Sequence, residues 1–195
     1  MKKLILVTSP PASGKTFISK ELAKALKHVV YLDKDTLICL SKQIFAVAGQ
    51  AYDRSSDFFE ENIRNYEYDA IVALALEALD YDDIVLINAP FTREIRNKEY
   101  IDKLKGDLKQ KDAKLVVIWV DTAVDVVKQR MIQRNSDRDT WKLEHWEEYI
   151  AGVNFDIPVE IDDKQVPDDL IIFKNSSKEE FDSSMENCLA LLEQE

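Results

Sequence analysis

Five short apolar runs alternate along the chain with longer stretches in which apolar residues recur at helical spacing. The runs are rich in β-branched and aromatic residues and show no polar alternation, which is typical of strands buried on both faces. Because strands and helices alternate, the pattern predicts an α/β fold with a mainly parallel sheet and helices on both sides. The predicted strands are Leu4–Val7, Val29–Leu32, Ile84–Ile87, Leu115–Val120 and Leu170–Phe173.

Two of the predicted helices have distinctive patterns. A single apolar stripe along residues 57–80 predicts one long helix. Near the C-terminal end, serine at 176 or 177 followed three residues later by glutamate predicts a capping box that begins the last helix. The stripe of the long helix consists of Phe59, Ile63, Tyr66, Ala70 and Leu74, and the buried face of the last helix consists of Phe181, Met185, Leu189 and Leu192.

A loop typical of phosphate binding lies between the first predicted strand and the helix that follows it. Residues 9–16 read Ser-Pro-Pro-Ala-Ser-Gly-Lys-Thr, which fits the pattern GxxxxGK[ST] except that serine replaces the first glycine. Backbone N–H groups of such a loop surround a polyphosphate at the positive end of the helix. Lys15 is predicted to reach the outer phosphates, and Thr16 to hold Mg²⁺ through its hydroxyl. The expected nucleotide contacts here are Ala12, Ser13, Gly14, Lys15, Thr16 and Phe17.

Composition narrows the classes of partner. The 195 residues carry a formal charge of −11, which disfavours nucleic acid and anionic membranes as partners. No linker or repeat divides the chain, so we expect one domain over residues 1–195. The two cysteines lie far apart, so reduced thiols are expected, and the apolar run after Met1 is too short for a signal peptide. A cytoplasmic protein is the simplest interpretation.

Polar side chains follow the second and third predicted strands. Asp33 and Asp35 come at the carboxyl end of the second strand, the edge at which open α/β sheets bind ligands. A carboxylate there can orient an acceptor hydroxyl or help to hold hydrated Mg²⁺, and the alternative is that Asp35 caps the next helix. The third strand ends in Asn88, where many P-loop ATPases have an aspartate. A neutral amide is a poorer Mg²⁺ ligand, which disfavours a motor-type ATPase.

The arginines are confined to one part of the chain. All of them lie between Arg54 and Arg138, whereas lysines are spread over the sequence. Guanidinium groups bind phosphoryl oxygens in a fork that lysine cannot reproduce, so Arg130 and Arg134 are candidate catalytic residues and Arg138 a candidate nucleotide contact. The alternative is a solvated helix face with weak ion pairs. Ser136, followed by Asp139, predicts that a new helix begins after Arg134.

With this layout, the chain resembles the small P-loop kinases of the nucleoside-monophosphate-kinase-like superfamily, especially its zeta-toxin-like, gluconate-kinase-like and antibiotic-phosphotransferase-like branches. The resemblance rests on residues 9–16, the strand endings at 31–36 and 86–91, and the arginine series. It implies a P-loop fold with a five-stranded parallel sheet, a helical substrate cap at about 36–83 and a lid at about 134–145. It also implies ATP-dependent phosphoryl transfer with Mg²⁺.

The same resemblance implies roles for single residues. In the zeta-toxin-like branch, the position matched by Asp35 accepts the proton of the substrate hydroxyl, and Asp33 is the second choice. An arginine beyond the third strand contacts the acceptor, which indicates Arg93. Residues after the last strand cradle adenine, which indicates Asn175 and Ser176.

Three functions remain open from the sequence. The first is a kinase that phosphorylates the hydroxyl of a small molecule. The second is a nucleoside monophosphate kinase, in which Arg64 and Arg93 would grip the acceptor phosphate. The third is a nucleotide-binding regulatory protein with vestigial hydrolysis. The predicted cap contains many acidic residues and only Arg54 and Arg64 as guanidinium groups, which favours a neutral or cationic hydroxyl acceptor.

Overall fold

The computed structural model describes residues 1–157 and 170–193, except for the side chains of residues 137 and 138. Five parallel strands form one sheet in the order β2-β3-β1-β4-β5. This α/β arrangement confirms the fold class predicted from the sequence. The strands are β1 (Lys2–Thr8), β2 (Val29–Asp33), β3 (Ile84–Asn88), β4 (Ala113–Asp121) and β5 (Leu170–Lys174).

The helices lie between the strands in chain order. They are α1 (Lys15–Ala25), α2 (Ile38–Val47), α3 (Asp57–Phe59), α4 (Asn65–Ala78), α5 (Lys98–Lys109), α6 (Val124–Arg134), α7 (Asp137–Glu144), α8 (Trp146–Gly152) and α9 (Lys178–Glu193). A π-helical segment, Glu60–Arg64, joins α3 to α4, and short 3₁₀ turns at Lys34–Leu37 and Glu94–Arg96 follow β2 and β3.

Both faces of the sheet are buried, as the unalternating apolar runs predict. Successive residues of β1 point to opposite faces: Leu4 and Leu6 pack with α4 and α5, whereas Ile5 and Val7 pack with α1 and α9. All five predicted strands are present, and their ends extend by at most two residues beyond the apolar runs. The carboxyl ends of β1, β2 and β3 therefore meet at one edge of the sheet, where Val7 and Asp33 each lie beside Asn88.

The long helix predicted over residues 57–80 begins at Asp57, but three of the five residues of its predicted buried stripe are exposed. Phe59 and Ile63 are buried, whereas Tyr66, Ala70 and Leu74 are exposed. A π turn holds more residues than an α turn, so the segment Glu60–Arg64 moves every later position by one. The buried positions after the π segment are Glu67, Tyr68, Ile71 and Ala75.

Capping at the two later helices differs. At α9 the capping box is present, because the Glu180 N–H donates to Ser177 Oγ (3.2 Å) and a Glu180 carboxylate oxygen accepts from the Ser176 N–H (2.7 Å). A new helix does follow Arg134, but Ser136 caps it without a side-chain hydrogen bond. The Asp139 N–H donates instead to the Ser136 carbonyl at 2.8 Å.

Neither cysteine is in a disulfide: Cys39 is an exposed thiol and Cys188 a buried one. Among the described helices, none combines the length and the apolar composition that crossing a membrane requires.

Candidate active site

The loop between β1 and α1 has the backbone of a phosphate-binding nest. Ala12 and Gly14 both have positive φ, 63° and 93° respectively, so the chain curls before α1 begins at Lys15. Such alternation points successive N–H groups into one concavity. Ser9, which replaces the first glycine of the motif, is buried and has no positive φ, so a side chain there causes no backbone strain.

A cleft of about 580 Å³ opens over this loop. It brings together residues that are distant in sequence, from the loop, the end of β2, the segment between α2 and α3, the end of β3, α6 and α7. Outside the loop itself, the lining residues are Phe17, Lys34, Asp35, Arg54, Pro90, Arg130, Arg134 and Lys142. Lys15, Thr16, Asp35, Arg130 and Arg134 were all candidates from the sequence, and the fold places them in this one cleft.

The two candidate carboxylates after β2 differ in their surroundings. Asp33 Oδ1 accepts from the Asp35 N–H at 3.0 Å and thereby caps the 3₁₀ turn. Its Oδ2 accepts from Tyr31 Oη and Asn88 Nδ2, each at 3.0 Å. Burial and this carboxylate raise the pKa of Tyr31, so its hydroxyl stays protonated as a donor. Within the described part of the chain, the Asp35 carboxylate accepts no hydrogen bond and lines the cleft. The capping role considered for Asp35 therefore belongs to Asp33.

Asn88 connects Asp33 to the phosphate loop. Its Nδ2 donates to Asp33 Oδ2 and to Thr16 Oγ1, the latter at 3.2 Å. A carboxylate at position 88 would face the Asp33 carboxylate about 3 Å away and repel it. The neutral amide thus explains why an aspartate at the end of β3 does not suit this chain. It also holds the Thr16 hydroxyl and the Asp33 carboxylate, two oxygen donors that suit Mg²⁺, beside each other.

A buried carboxylate anchors the cationic wall of the cleft. Glu67, which is 4% exposed, accepts from Lys34 Nζ and from both Nη atoms of Arg54, each at 2.7 Å, and from Ser41 Oγ. Burial alone would raise the pKa of Glu67, but the hydrogen bonds from Arg54, Lys34 and Ser41 outweigh it and lower the pKa to about 2. One carboxylate holds two cations, which leaves this wall with one net positive charge.

Glu67→Gln is expected to lower the free energy of unfolding by about 3 kcal/mol at neutral pH, because two largely buried cations lose their carboxylate. The pKa of Glu67 lies below its ordinary value of 4.5, so the stabilisation is complete above pH 4.5 and is lost as the pH falls toward 2. Urea unfolding measured between pH 4.5 and pH 2 should show the free energy of unfolding of the wild type falling toward that of Glu67→Gln.

Glu60→Gln is the matched control for this experiment. Glu60 pairs with Arg93 at 2.7 Å near the surface, where the side chains are 40% and 66% exposed and such a pair is worth at most about 1 kcal/mol. A stability difference between Glu67→Gln and the wild type that stayed constant from pH 7 to pH 2 would contradict the assignment of the ionised carboxylate.

The two arginines of α6 that line the cleft also contact other protein groups. Arg130 donates from Nη1 to the Ser13 carbonyl (3.1 Å) and from Nη2 to the Asn175 carbonyl (2.7 Å), and burial lowers its pKa. Arg134 donates from Nε to Asp139 at 2.8 Å, and Lys142 pairs with the same fully buried carboxylate at 3.3 Å. The backbone of Arg138 lies in α7, and its side chain lies outside the described residues.

The two candidate arginines for the acceptor lie away from this cleft. Arg64 pairs with Glu94 at 2.7 Å and packs on the ring of Tyr68. Arg93 pairs with Glu60 and lines a separate cavity of about 350 Å³ beside Tyr68 and Tyr100. The described structure therefore does not bring Arg64 or Arg93 together with Asp35 and the phosphate loop.

A third cavity of about 560 Å³ also has Gly14 in its lining. It is lined by Phe17, Arg130, the 175–178 segment and Phe181, with the two phenylalanine rings 5.4 Å apart between centroids. The side chains of the two adenine candidates are used within the protein: Asn175 Nδ2 donates to the Ser13 carbonyl at 2.7 Å, and Ser176 Oγ accepts from the Ala123 N–H at 2.9 Å.

Sequence reasoning missed several residues of the site. Glu67 was counted only among the acidic residues of the cap, and the signal that could have identified it, an acid on the buried helix face, depends on the π turn. Lys34 adjoins Asp35, and its burial depends on Glu67, more than thirty positions away. Thr122, directly after β4, donates from Oγ1 to the Ser13 carbonyl of the phosphate loop at 3.0 Å, and nothing in its local sequence indicates this contact.

One family of known proteins matches most of this chain. A family model described as "AAA domain" matches residues 4–155. A search of curated proteins found no match.

In the described part of the chain, no group of three or more histidine, cysteine or acidic side chains could hold a metal ion.

Solved structures with the same fold share little sequence with this chain. Shikimate kinase from Bacteroides thetaiotaomicron is 15% identical, with a TM-score of 0.54 and 98% of each chain covered. A gluconokinase from Sinorhizobium meliloti is 14% identical, with a TM-score of 0.53 and coverage of 98% of this chain and 95% of that one. Chaetomium thermophilum Kti12, solved with ADP-AlF3, is 19% identical, with a TM-score of 0.55 and coverage of 96% and 98%. These likenesses show that the chain shares the α/β fold of these proteins.

Proposed function

This chain belongs to the AAA domain family, and we propose that it is an ATP-dependent phosphotransferase that moves the γ-phosphoryl group to a hydroxyl of a small molecule. The observation that carries the proposal is the set of residues that line the cleft. It unites a phosphate-binding loop, a carboxylate at the neighbouring strand end and cationic side chains from the cap and the lid. Positioning and charge stabilisation by such groups are what phosphoryl transfer requires from a protein.

The nucleotide would lie across the phosphate loop. Its polyphosphate would contact the N–H groups of residues 12–17 and the Lys15 side chain, and its base would enter the cavity between Phe17, Arg130 and Phe181. The aromatic rings and the guanidinium group in the lining of that cavity suit contact with a planar ring. Arg134 and Lys142, already clasped by Asp139, would stabilise the charge that develops on the transferred group.

Asp35 is the group that we assign to the acceptor. Asp35 lines the same cleft as the loop, so its carboxylate can orient a hydroxyl for in-line attack and accept its proton. Asp33 has another role in this proposal, since its hydrogen bonds to Tyr31, Asn88 and the Asp35 N–H fix it in place. Asp33 would help to hold the Thr16 hydroxyl in place through Asn88, whose Nδ2 donates to both residues.

Magnesium fits the residues at the loop. Thr16 Oγ1 would hold the ion, and Asp33 would contact its hydration shell. When bound, Mg²⁺ neutralises part of the polyphosphate charge. A site with few protein ligands is usual for this ion, which keeps waters and phosphate oxygens as its other ligands.

The position of the arginines favours a hydroxyl acceptor over a nucleoside monophosphate. Arg64 and Arg93, the pair that would grip an acceptor phosphate, are bound to Glu94 and Glu60 outside the cleft lining. The acceptor side of the cleft instead presents Asp35 and the wall of Lys34 and Arg54, in which Glu67 leaves one net positive charge. Acceptors that carry a carboxylate therefore belong in the test as well as neutral and cationic ones.

The experiment is a screen for acceptor-dependent ADP release. The panel contains neutral sugars, sugar acids, aminoglycoside-like alcohols and the four monophosphates AMP, GMP, CMP and UMP. We expect one hydroxyl compound to accelerate ADP release, and release should stop when chelator removes Mg²⁺. Acceleration by a monophosphate alone would replace the proposal by a nucleoside monophosphate kinase.

The regulatory alternative has one specific observation in its favour. Arg130 and Arg134 are held by carbonyl groups and by Asp139, an arrangement that also suits a protein in which nucleotide only fixes the shape. Tight nucleotide binding without acceleration by any acceptor would support this alternative and contradict the proposed transferase activity.

A further inference from the structure

Three donors converge on one carbonyl group of the phosphate loop. The Ser13 carbonyl oxygen accepts from Asn175 Nδ2 at 2.7 Å, from Thr122 Oγ1 at 3.0 Å and from Arg130 Nη1 at 3.1 Å. Ser13, Thr122 and Asn175 are each at most 5% exposed, so water does not substitute for these bonds. A carbonyl oxygen has two lone pairs, and a typical backbone carbonyl has one or two partners.

The donors come from three separate elements. Thr122 directly follows β4, Arg130 lies in α6, and Asn175 directly follows β5. Backbone and side-chain bonds tie these elements to one another: the Asn175 N–H donates to the Asp121 carbonyl at 2.8 Å, and Arg130 also donates to the Asn175 carbonyl. The direction of the Ser13 carbonyl is thus set by the carboxyl ends of β4 and β5.

Fixing this carbonyl also fixes an N–H group that faces the ligand. A peptide group is planar and trans, so the Gly14 N–H points away from the side on which the Ser13 carbonyl points. Gly14 lines the cleft, and positive φ at this residue belongs to the nest. If the peptide turned over, a carbonyl oxygen would face the phosphate in place of the N–H. Donors on the carbonyl also polarise the peptide and strengthen its N–H as a donor.

Glycine at position 14 permits the arrangement. A Cβ atom there would lie 2.4 Å from Asn175 Nδ2, closer than any real contact, and 3.4 Å from Arg130 Nη1. The glycine of the motif therefore serves the approach of Asn175 to the Ser13 carbonyl as well as the left-handed backbone.

We propose that Thr122 and Asn175 are positioning residues that lock the Ser13–Gly14 peptide, so that the Gly14 N–H is presented to a nucleotide phosphate. They act through the peptide and do not themselves contact the nucleotide phosphates. The inference rests on nucleotide binding, which the fold implies, and not on the identity of the acceptor. It gives Asn175 a different role from the adenine contact predicted from the sequence.

The sequence allows a direct readout. Ser13–Gly14 is the one place in the chain where serine precedes glycine, and the chain has four glycines. Protein labelled with carbonyl-¹³C serine and ¹⁵N glycine gives a single NMR correlation, which reports the Ser13 carbonyl and the Gly14 N–H together. The probe is ADP, whose affinity is measured in parallel by calorimetry.

Thr122→Val removes the hydroxyl donor at nearly constant volume, and Thr122→Ser retains it. We expect Thr122→Val to raise the Kd for ADP about tenfold, the effect of one buried hydrogen bond, and to reduce the downfield shift of the Gly14 proton on ADP binding. Thr122→Ser should bind like the wild type. Asn175→Asp, which replaces the donor by a carboxylate, should raise the Kd for ADP and reduce the Gly14 shift in the same way.

Several results would overturn the proposal. One is a lowered unfolding temperature in Thr122→Val and Asn175→Asp with unchanged ADP affinity and an unchanged Gly14 shift, which is the result of a purely structural role. Another is equal loss of affinity in Thr122→Ser and Thr122→Val. If Thr122→Val does not fold, Asn175→Asp decides by the same readouts. The wild type without nucleotide provides a further test, because a Ser13 carbonyl ¹³C shift typical of a solvent-bonded carbonyl would contradict the three donors.

Discussion

Lys15→Ala is expected to reduce kcat/KM for ATP by about 10²- to 10³-fold, because the ammonium group at the start of α1 is the cation that the phosphate loop itself supplies to the cleft. The residues that α1 buries in the core are Ile18, Ser19 and Leu22, and Lys15 is not one of them, so we expect the variant to fold. Steady-state kinetics and calorimetric ATP binding on the purified variant measure the effect.

Lys20→Ala is the control for this variant, since Lys20 lies in the same helix and is exposed. It should leave kinetics and unfolding temperature unchanged. Wild-type activity in Lys15→Ala would refute the assignment of the loop. A loss of activity that is matched by loss of folded protein would show a structural role for Lys15 instead.

The second large effect is expected at Asp35. Asp35→Asn should lower kcat by about 10²-fold or more while the Kd for ATP changes little, because the substitution removes a proton acceptor and leaves the nucleotide contacts intact. The structure makes this test sharper than the sequence did, because the helix-capping role falls to Asp33. A fall in kcat at Asp35 is therefore not explained by loss of a cap.

Asp33→Asn is the matched variant and should behave differently. The substitution replaces a carboxylate that accepts three hydrogen bonds by an amide that faces Asn88 Nδ2. We therefore expect a lower unfolding temperature and a higher Mg²⁺ concentration for half-maximal activity. If Asp33→Asn abolishes turnover at saturating Mg²⁺ and Asp35→Asn does not, the roles of the two carboxylates are exchanged.

The features that the sequence predicted correctly have local causes. Each strand is predicted by a short apolar run without polar alternation, because helices α1, α4, α5 and α9 cover both faces of the sheet. The phosphate loop is equally local: a strand, a turn with glycine at positive φ and a helix lie within one short segment. Parallel strand order then places Asp33 and Asn88 beside each other without further information.

The features that the sequence did not predict depend on distant contacts. The π segment at Glu60–Arg64 shifts the buried positions of the following helix by one residue, and no residue type within the segment indicates a π turn. That shift puts Glu67 under the cleft, where it binds Arg54 and Lys34. The convergence of Thr122 and Asn175 on the Ser13 carbonyl likewise requires β4 and β5 to end beside the loop. Patterns read within a window of one helix cannot contain such contacts.

The most direct test of the transferase function follows the phosphoryl group itself. ATP labelled in the γ-phosphate is incubated with the protein, Mg²⁺ and the acceptor that gives the largest acceleration of ADP release, and the labelled products are separated. The account predicts that label appears on the acceptor in equal amount to the ADP formed, and that Lys15→Ala and Asp35→Asn each suppress this product. Label found only in inorganic phosphate, whatever acceptor is present, would contradict it.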